Sequence, residues 1–246
     1  MLETMPGLER GDHPGGDFDL GEVLATQKRY YELRAPDYLD SAKPSDRGGR
    51  NHPFPSELAA PIFEDLRPFG DVLELASGPG PLFTSELARY ADSVTAVDAS
   101  PMMLQLNHGQ VANPKVSYVE ADLFEWSPDR TYDFVFFGHW LSHIPMARFA
   151  DFWDLVRACT GDRGRVGFID EDDRGAWMDS DRPSEHSEVA RRTLADGRRF
   201  DIIKVFWSPE DLEQRLLTLG WDVQITRVGD RFMVGLGHPD QGSDHV

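Results

Sequence analysis

The stretch "VLELASGPGPL", Val72 to Leu82, begins as an apolar strand, turns through two glycines and two prolines, and leads into a helical pattern from Leu82. Strand, glycine turn and helix in that order bring backbone N–H groups and little side-chain bulk to a strand's carboxyl end, where open parallel sheets bind ligands. A nicotinamide-type turn has the spacing G-x-G-x-x-G. Here Gly78 and Gly80 are followed by Phe83 where the third glycine belongs, and Ala76 stands before them. The turn alone therefore leaves open whether it holds a pyrophosphate, a nucleoside or nothing.

Working outward, short β-rich runs recur at 71–76, 93–99, 115–121, 132–138 and 164–171. Helical spacing between them predicts helices over 82–90, 101–110 and 147–159. Apolar runs separated by crossover helices predict a doubly wound α/β sheet with parallel strands. Upstream, residues 1–18 mix glycine, proline and acids without an apolar period and are expected to be a disordered tail. A helix is predicted from Leu20 to Arg34, a loop over 41–55, and a second helix from Ser56 that stops at Pro68 to Gly70. After Gly175 the alternation breaks: 176–190 reads as a loop or short helix, and 191–206 as a hairpin turning at Ala195, Asp196 and Gly197. A last helix over 209–219 and strands at 221–229 and 231–238 complete the pattern. The expected organisation is one domain over 19–240, with a helical amino-terminal cover at 19–69, an insertion at 176–207 and a tail at 241–246.

Composition narrows the function. Among 246 residues, 25 basic against 43 acidic side chains give a net charge of −18. Such a field repels phosphate backbones and anionic membrane surfaces, so neither nucleic acid nor membrane insertion is expected. Cys159, the single cysteine, lies at helical spacing with Phe152, Leu155 and Val156 and reads as a small buried hydrophobe. No apolar run approaches the ~20 residues of a membrane span, and no signal peptide is recognisable, so a cytoplasmic monomer or homodimer is the expectation.

The downstream acids speak to the ligand of the turn. Glu74 sits in the first strand, Asp98 closes the second and Asp122 follows the third. An acid after the second strand can accept ribose hydroxyls, and one after the third can accept an adenine amino group. In this set the chain resembles the class I S-adenosylmethionine-dependent methyltransferases. That resemblance implies a Rossmann-like seven-stranded sheet with helices on both faces, its last strand inserted antiparallel, and S-adenosylmethionine as cofactor. It implies cofactor contacts at Glu74, Ala76, Gly78, Gly80, Asp98, Ala99, Met103, Asp122, Leu123 and Gly138, with Tyr30, Arg34 and Tyr38 reaching over from the cover. A cationic sulfonium suits an acidic surround, whereas a pyrophosphate is repelled by it. The bland readings are that Asp122 caps its own segment, that Glu74 is a solvated strand end and that Tyr30, Tyr31 and Arg34 pack or solvate a helix. Ala76 is tolerable in the turn provided its φ is negative.

For the methyl acceptor, "FFGHWLSHIP" after the fourth strand offers no acid for a catechol-type metal site but places His139, Trp140 and His143 at the cleft edge. The run "IDEDDR" reads as solvated acids, and no metal is expected. With a three-residue hairpin turn and Gly197 left-handed, Leu194 pairs with Arg198, and Arg192, Phe200, Ile202, Lys204 and Phe206 share one face. Two cations among apolar groups suit an amphiphilic anion; the alternative is an exposed edge blunted by charge. The blocks "VFFGHWLSHIP", "RRTLADGRRFDIIKVF" and "LTLGWDV" are similar to the small bacterial O-methyltransferases of phosphonates (the dehydrophos type) and of free fatty acids. This similarity implies an acid group held by His143, Arg192, Lys204 and Tyr38, and a product methyl ester of a small or medium-chain carboxylic acid. O-methylation of a phosphonate or other natural-product acid is the alternative, and a nicotinamide oxidoreductase or a non-catalytic cofactor-binding protein are the alternatives of another class.

Overall fold

The protein is described by a computed structural model over residues 18–38, 54–161, 163–178, 183 and 187–240. The two expected tails, except Phe18, and most of the 41–55 loop lie outside these described residues.

The alternation from Asp71 onward is realised as five parallel strands: β1 (Asp71–Leu75), β2 (Ser93–Asp98), β3 (Val116–Glu120), β4 (Phe134–Gly138) and β5 (Arg165–Glu171). They are joined through helices α3 (Thr84–Tyr90), α4 (Pro101–Val111) and α5 (Phe149–Thr160). The hairpin strands β6 (Val189–Thr193) and β7 (Arg199–Ile203) follow, then α7 (Pro209–Thr218), β8 (Trp221–Val228) and β9 (Phe232–Pro239). The sheet order is β3-β2-β1-β4-β5-β9-β8, with β9 antiparallel to both β5 and β8. This is the expected seven-stranded topology, and it brings the start of β9 beside the carboxyl end of β5.

Period-two alternation divides the core between the faces. Phe134 and Phe136 of β4 join Val72 and Val94 beneath Ile62, Phe63 and Leu66 of α2 (Ser56–Leu66). Val135 and Phe137 point the other way, to Trp153 and Val156 of α5 and Leu212 and Leu216 of α7. Phe137 stacks on Phe168 of β5 with centroids 5.3 Å apart. Cys159 is buried here and its thiol is pushed up to about 12 by burial, in keeping with the small-hydrophobe reading. Helix starts are chemically marked: Ser100 Oγ accepts from the Met103 amide at 3.2 Å, and Ser208 Oγ from that of Asp211 at 3.1 Å.

Three local expectations shift. The helix expected at Leu82 begins at Thr84, because residues 81–83 continue the turn. Met146–Arg148 form a 3-10 turn before α5. A short helix, α6 (Asp173–Met178), starts ahead of Gly175, where the break was expected.

The hairpin turns as expected, with Leu194 N–H donating to Arg198 C=O at 2.9 Å and Gly197 at φ +89°. Its strands begin and end earlier than the apolar pattern suggests. Arg192 faces Phe200 and Ala190 faces Ile202, and beyond the ladder Lys204 N–H reaches Glu188 C=O at 2.7 Å. The face carrying Ala190, Phe200 and Ile202 packs on α1 (Leu20–Arg34) through Tyr30, with Tyr31 at its margin. Gln27 fastens the same junction. Its amide donates to His143 C=O at 3.2 Å and accepts from Ile203 N–H at 2.9 Å. Ala190 and Ile202 are each 1% exposed, so α1 covers the side of the hairpin on which an amphiphilic anion was expected, and the alternative of an exposed edge is corrected there.

Candidate functional site

The site is built where β1, β2 and β4 end side by side. Glu74, one residue before the end of β1, is buried beneath the turn and accepts from Thr84 Oγ1 at 2.6 Å. Thr84 accepts in turn from Asn107 Nδ2 at 2.8 Å, Asn107 also donates to Gly78 C=O, and Tyr118 donates to Asn107 Oδ1. Burial pushes the Glu74 carboxyl up to about 8, with the Asp98 charge adding to it. Asp98 spans the turn: one oxygen accepts from Gly78 N–H and the other from Ser100 N–H, both at 2.9 Å. Its carboxyl is raised by burial and lowered by these amides, burial prevailing. Glu74 is therefore not the solvated strand end of the bland reading.

Gly80 has a steric reason: a Cβ there falls 2.3 Å from the Asn107 side chain, and its φ is +87°. Ala76 does not meet the condition set for it, because its φ is +53°. A methyl-bearing residue in the left-handed region carries strain of ~1 kcal/mol or more. His139, after β4, is the second left-handed non-glycine at this edge, with φ +54°.

Ala99 is half-buried beside Asp98, Met103 is buried on the first turn of α4, and Leu123 is buried in the core past β3. Gly138 gives way to the Phe83 ring, which a Cβ meets at 2.3 Å. Asp122 does two things. Its Oδ1 accepts from Phe124 N–H at 3.1 Å, the capping role of the bland reading, and its Oδ2 pairs with Lys28 of α1 at 3.1 Å. The cover helix thus reaches over the third strand end. Ser77, buried in the turn, has an Oγ without a partner among the described residues. That orphaned hydroxyl, in the turn that joins Glu74 to the Asp98 carboxylate, where the two acids accept from hydroxyl and amide donors, fits a ligand bearing a cationic amine and hydroxyls.

A second cluster lies under the cover. His143 is buried, with Nδ1 2.8 Å from Ile203 C=O and Nε2 2.8 Å from Tyr31 Oη. A carbonyl cannot donate, so Nδ1 carries the proton, and Nε2 accepts from the Tyr31 hydroxyl. Burial holds the ring neutral, with its basicity well below the ordinary value; the Lys204 and Arg192 charges act in the same direction. Tyr31, read from sequence as packing, is thus the missed member of the cluster. Burial raises its hydroxyl, the Tyr30 and Tyr38 rings add to this, and Arg34 and Arg192 oppose it. Arg34 lies 4.4 Å from the Tyr38 ring centroid and 5.9 Å from that of Tyr30. The structure therefore groups Tyr30, Arg34, Tyr38 and His143 around Tyr31, and the Arg192 and Lys204 charges act on His143.

Lys204 Nζ donates to Ser142 Oγ at 3.0 Å and pairs with Glu171 at 2.7 Å. His139 has aromatic neighbours of its own, its ring within 5.8 Å of Phe54, Phe83 and Phe232. Burial pulls it down to about 4, and Lys204 and Arg231 add to that shift against Asp170. The Trp140 ring packs 5.9 Å from Phe124, and its indole N–H is buried without a partner among the described residues. The acidic run after β5 is engaged in pairs rather than solvated: Asp172 with Arg174 and Arg227, and Asp173 with Arg227. Among the described residues, no three His, Cys, Asp or Glu converge as metal ligands, and no helix is long and apolar enough to cross a membrane.

Comparison with known proteins bears on the family. Residues 72–164 match the family model of the methyltransferase domain. The chain is 38% identical to DhpI in its complex with SAM and HEP, over 90% of this chain and 100% of that one, with a TM-score of 0.77. For DhpI with SAH the identity is 36%, over 91% and 100% of the two chains, with a TM-score of 0.74. Trans-aconitate 2-methyltransferase of Enterobacter sp. (strain 638) is 31% identical over 97 residues, 39% of this chain and 36% of that relative's length. The extent of the match and the seven-stranded sheet lead to one conclusion: this chain belongs to the class I S-adenosylmethionine-dependent methyltransferases.

Proposed function

We propose that the protein methylates an oxygen of a small organic acid, giving a methyl ester. The observation that supports this reading is Lys204, held on Ser142 next to the buried His143–Tyr31 pair, with the Arg192 charge acting on the same pair, beneath the cover and beside the end of β4. Two cations in a site closed by α1 suit an oxyanion. Two relatives lend support: one is a trans-aconitate 2-methyltransferase, and another carries HEP together with SAM.

When bound, S-adenosylmethionine supplies a methyl group on a positively charged sulfur. Glu74, Asp98 and the 76–80 turn would hold its amino acid and ribose ends, with Ser77 Oγ as a further partner and Asp122 toward the base. Arg192 and Lys204 would bind and orient the acid. An acid already ionised at neutral pH brings its own nucleophile, so no strong base is needed. Both His143 nitrogens are engaged and the Tyr31 hydroxyl spends its one proton on Nε2, so this pair shapes the wall of the site and the donors to the acid are Arg192 and Lys204. Tyr38 and Arg34 close the outer side, and exclusion of water falls to α1.

The covered hairpin face favours a compact acid, carboxylate or phosphonate, over a medium-chain fatty acid, because Tyr30 occupies the surface an alkyl tail would need. The test is transfer of labelled methyl to a panel of short and medium-chain carboxylates, phosphonates and phenols, with Lys204→Met in parallel. Labelling of acids, with acid affinity lost and cofactor affinity kept in Lys204→Met, is the expected result. Labelling confined to phenols or amines refutes the reading.

A further inference from the structure

The ends of β5 and β9 place two cations on one carboxylate. Glu171, the last residue of β5, pairs with Lys204 at 2.7 Å and with Arg231. Lys204 and Arg231 are 7% and 8% exposed. Arg231 lies in the β8–β9 turn, and antiparallel pairing of β9 with β5 carries it to the ligand edge. Its Nε–H is buried without a partner among the described residues. The neighbouring acids are otherwise engaged: Asp170 accepts from the Ser142 and Glu171 amides at 2.9 and 2.7 Å, and Asp172 holds Arg174 and Arg227. Glu171 is thus the carboxylate both cations share. It sits where the Lys204 ammonium is also fixed by Ser142, the residue before His143.

We propose that Glu171 and Arg231 are positioning residues for the methyl acceptor: Glu171 aims the Lys204 ammonium and, balanced by Arg231, sets the net charge the incoming acid meets. The inference rests on the reading of Lys204 as part of the acid site. Two cations without Glu171 attract an anion more strongly and hold it more firmly in the ground state than in the transition state, where its charge is already shared with the arriving methyl group, which lowers turnover. Removing Arg231 lets Glu171 neutralise Lys204 more completely, and an anion binds less well.

The experiment titrates the full chain, loaded with S-adenosylhomocysteine, with methylphosphonate and with hexanoate by calorimetry, alongside kinetics on whichever probe is methylated. Glu171→Gln should tighten the anion on the order of tenfold, the scale of one charge across a partly buried site, with kcat and KM falling together. Arg231→Gln should weaken it comparably, Glu171→Asp should stay near wild type, and the double variant should return toward wild type. Cofactor affinity should be unchanged throughout. Opposite signs from neighbouring residues are not produced by loss of folding. Should Glu171→Gln fail to fold, Arg231→Gln and the double variant carry the test. The proposal is overturned by equal affinity in Arg231→Gln and wild type, or by weaker binding in a folded Glu171→Gln. Lys204→Met separates the two readings: unchanged anion affinity there, or no binding of either probe to the wild type, sinks the acid-site reading and this inference with it.

Discussion

Glu74→Gln isolates one buried charge. In the folded chain burial holds this carboxyl at about 8 against an ordinary 4.5, so at neutral pH the native state keeps a proton that the unfolded chain has released. The shift is upward, so its sign is opposite to that of a salt-bridged acid. Below pH 4.5 both states are protonated and the group costs nothing. The cost grows as pH rises and is complete above pH 8, where the native state must bury the anion. It amounts to roughly 5 kcal/mol in full and about 3 kcal/mol at pH 7. Glutamine keeps an acceptor for Thr84 and does not titrate, but it adds an amide N–H₂ that costs about 1–2 kcal/mol if it finds no acceptor. The variant should therefore be about 1–2 kcal/mol more stable than wild type at pH 7. The advantage should widen toward pH 9 and vanish by pH 5. Urea unfolding followed by tryptophan fluorescence at these pH values measures the difference. A gap between the two proteins that stays constant from pH 5 to 9 refutes the reasoning. Cofactor affinity should fall in the same variant, so stability and binding move in opposite directions.

Gln27→Ala removes both bonds that pin α1 to the hairpin and leaves Ile203 N–H and His143 C=O without that partner; it should cost about 2–3 kcal/mol and speed hydrogen exchange in α1 ahead of the sheet. Gly80→Ala forces Asn107 from its bonds to Thr84 and Gly78 and puts a methyl at φ +87°, so a destabilisation above about 2 kcal/mol with weakened cofactor binding is expected in thermal melts and titrations. Ala76→Gly relieves the left-handed strain and should raise stability by about 0.5–1 kcal/mol in urea; a loss of stability contradicts the strain assignment.

The sheet was legible because its signals are local. Alternation in β4 and helical spacing in α5 are set within a few residues, and Ala195, Asp196 and Gly197 marked the hairpin turn, whose three-residue form pairs Leu194 with Arg198. The acids at the ends of β1, β2 and β3 were legible for the same reason. What was not legible depends on distance along the chain. Tyr31 and His143 are 112 residues apart, and nothing in "YYELR" distinguishes the tyrosine that bonds a histidine from the one that packs. Glu171 and Arg231 look like solvated charges until β9 runs back along β5. Of the hairpin's expected face, Phe200 and Ile202 share one side of β7 whereas Lys204 and Phe206 lie past its end, and a pattern of apolar residues does not tell whether a ligand or another helix will cover it. Ala76 was flagged by its identity, and its φ follows from the turn, which the surrounding glycines set.

The junction of α1 with the hairpin has a consequence for how the molecule is assembled during synthesis. The turn, its three acids and the network through Asn107 fall within residues 74–122, so that half can organise as soon as this segment leaves the ribosome. Gln27 must wait for Ile203, 176 residues later, before both of its bonds exist. In the growing chain α1 therefore emerges first and docks late, with its Tyr30 and Val23 face exposed while the parallel strands form. A nascent chain halted after β4 should already have its glycine turn and the three acids in place, whereas the cluster around His143 comes into being only once the hairpin has been made.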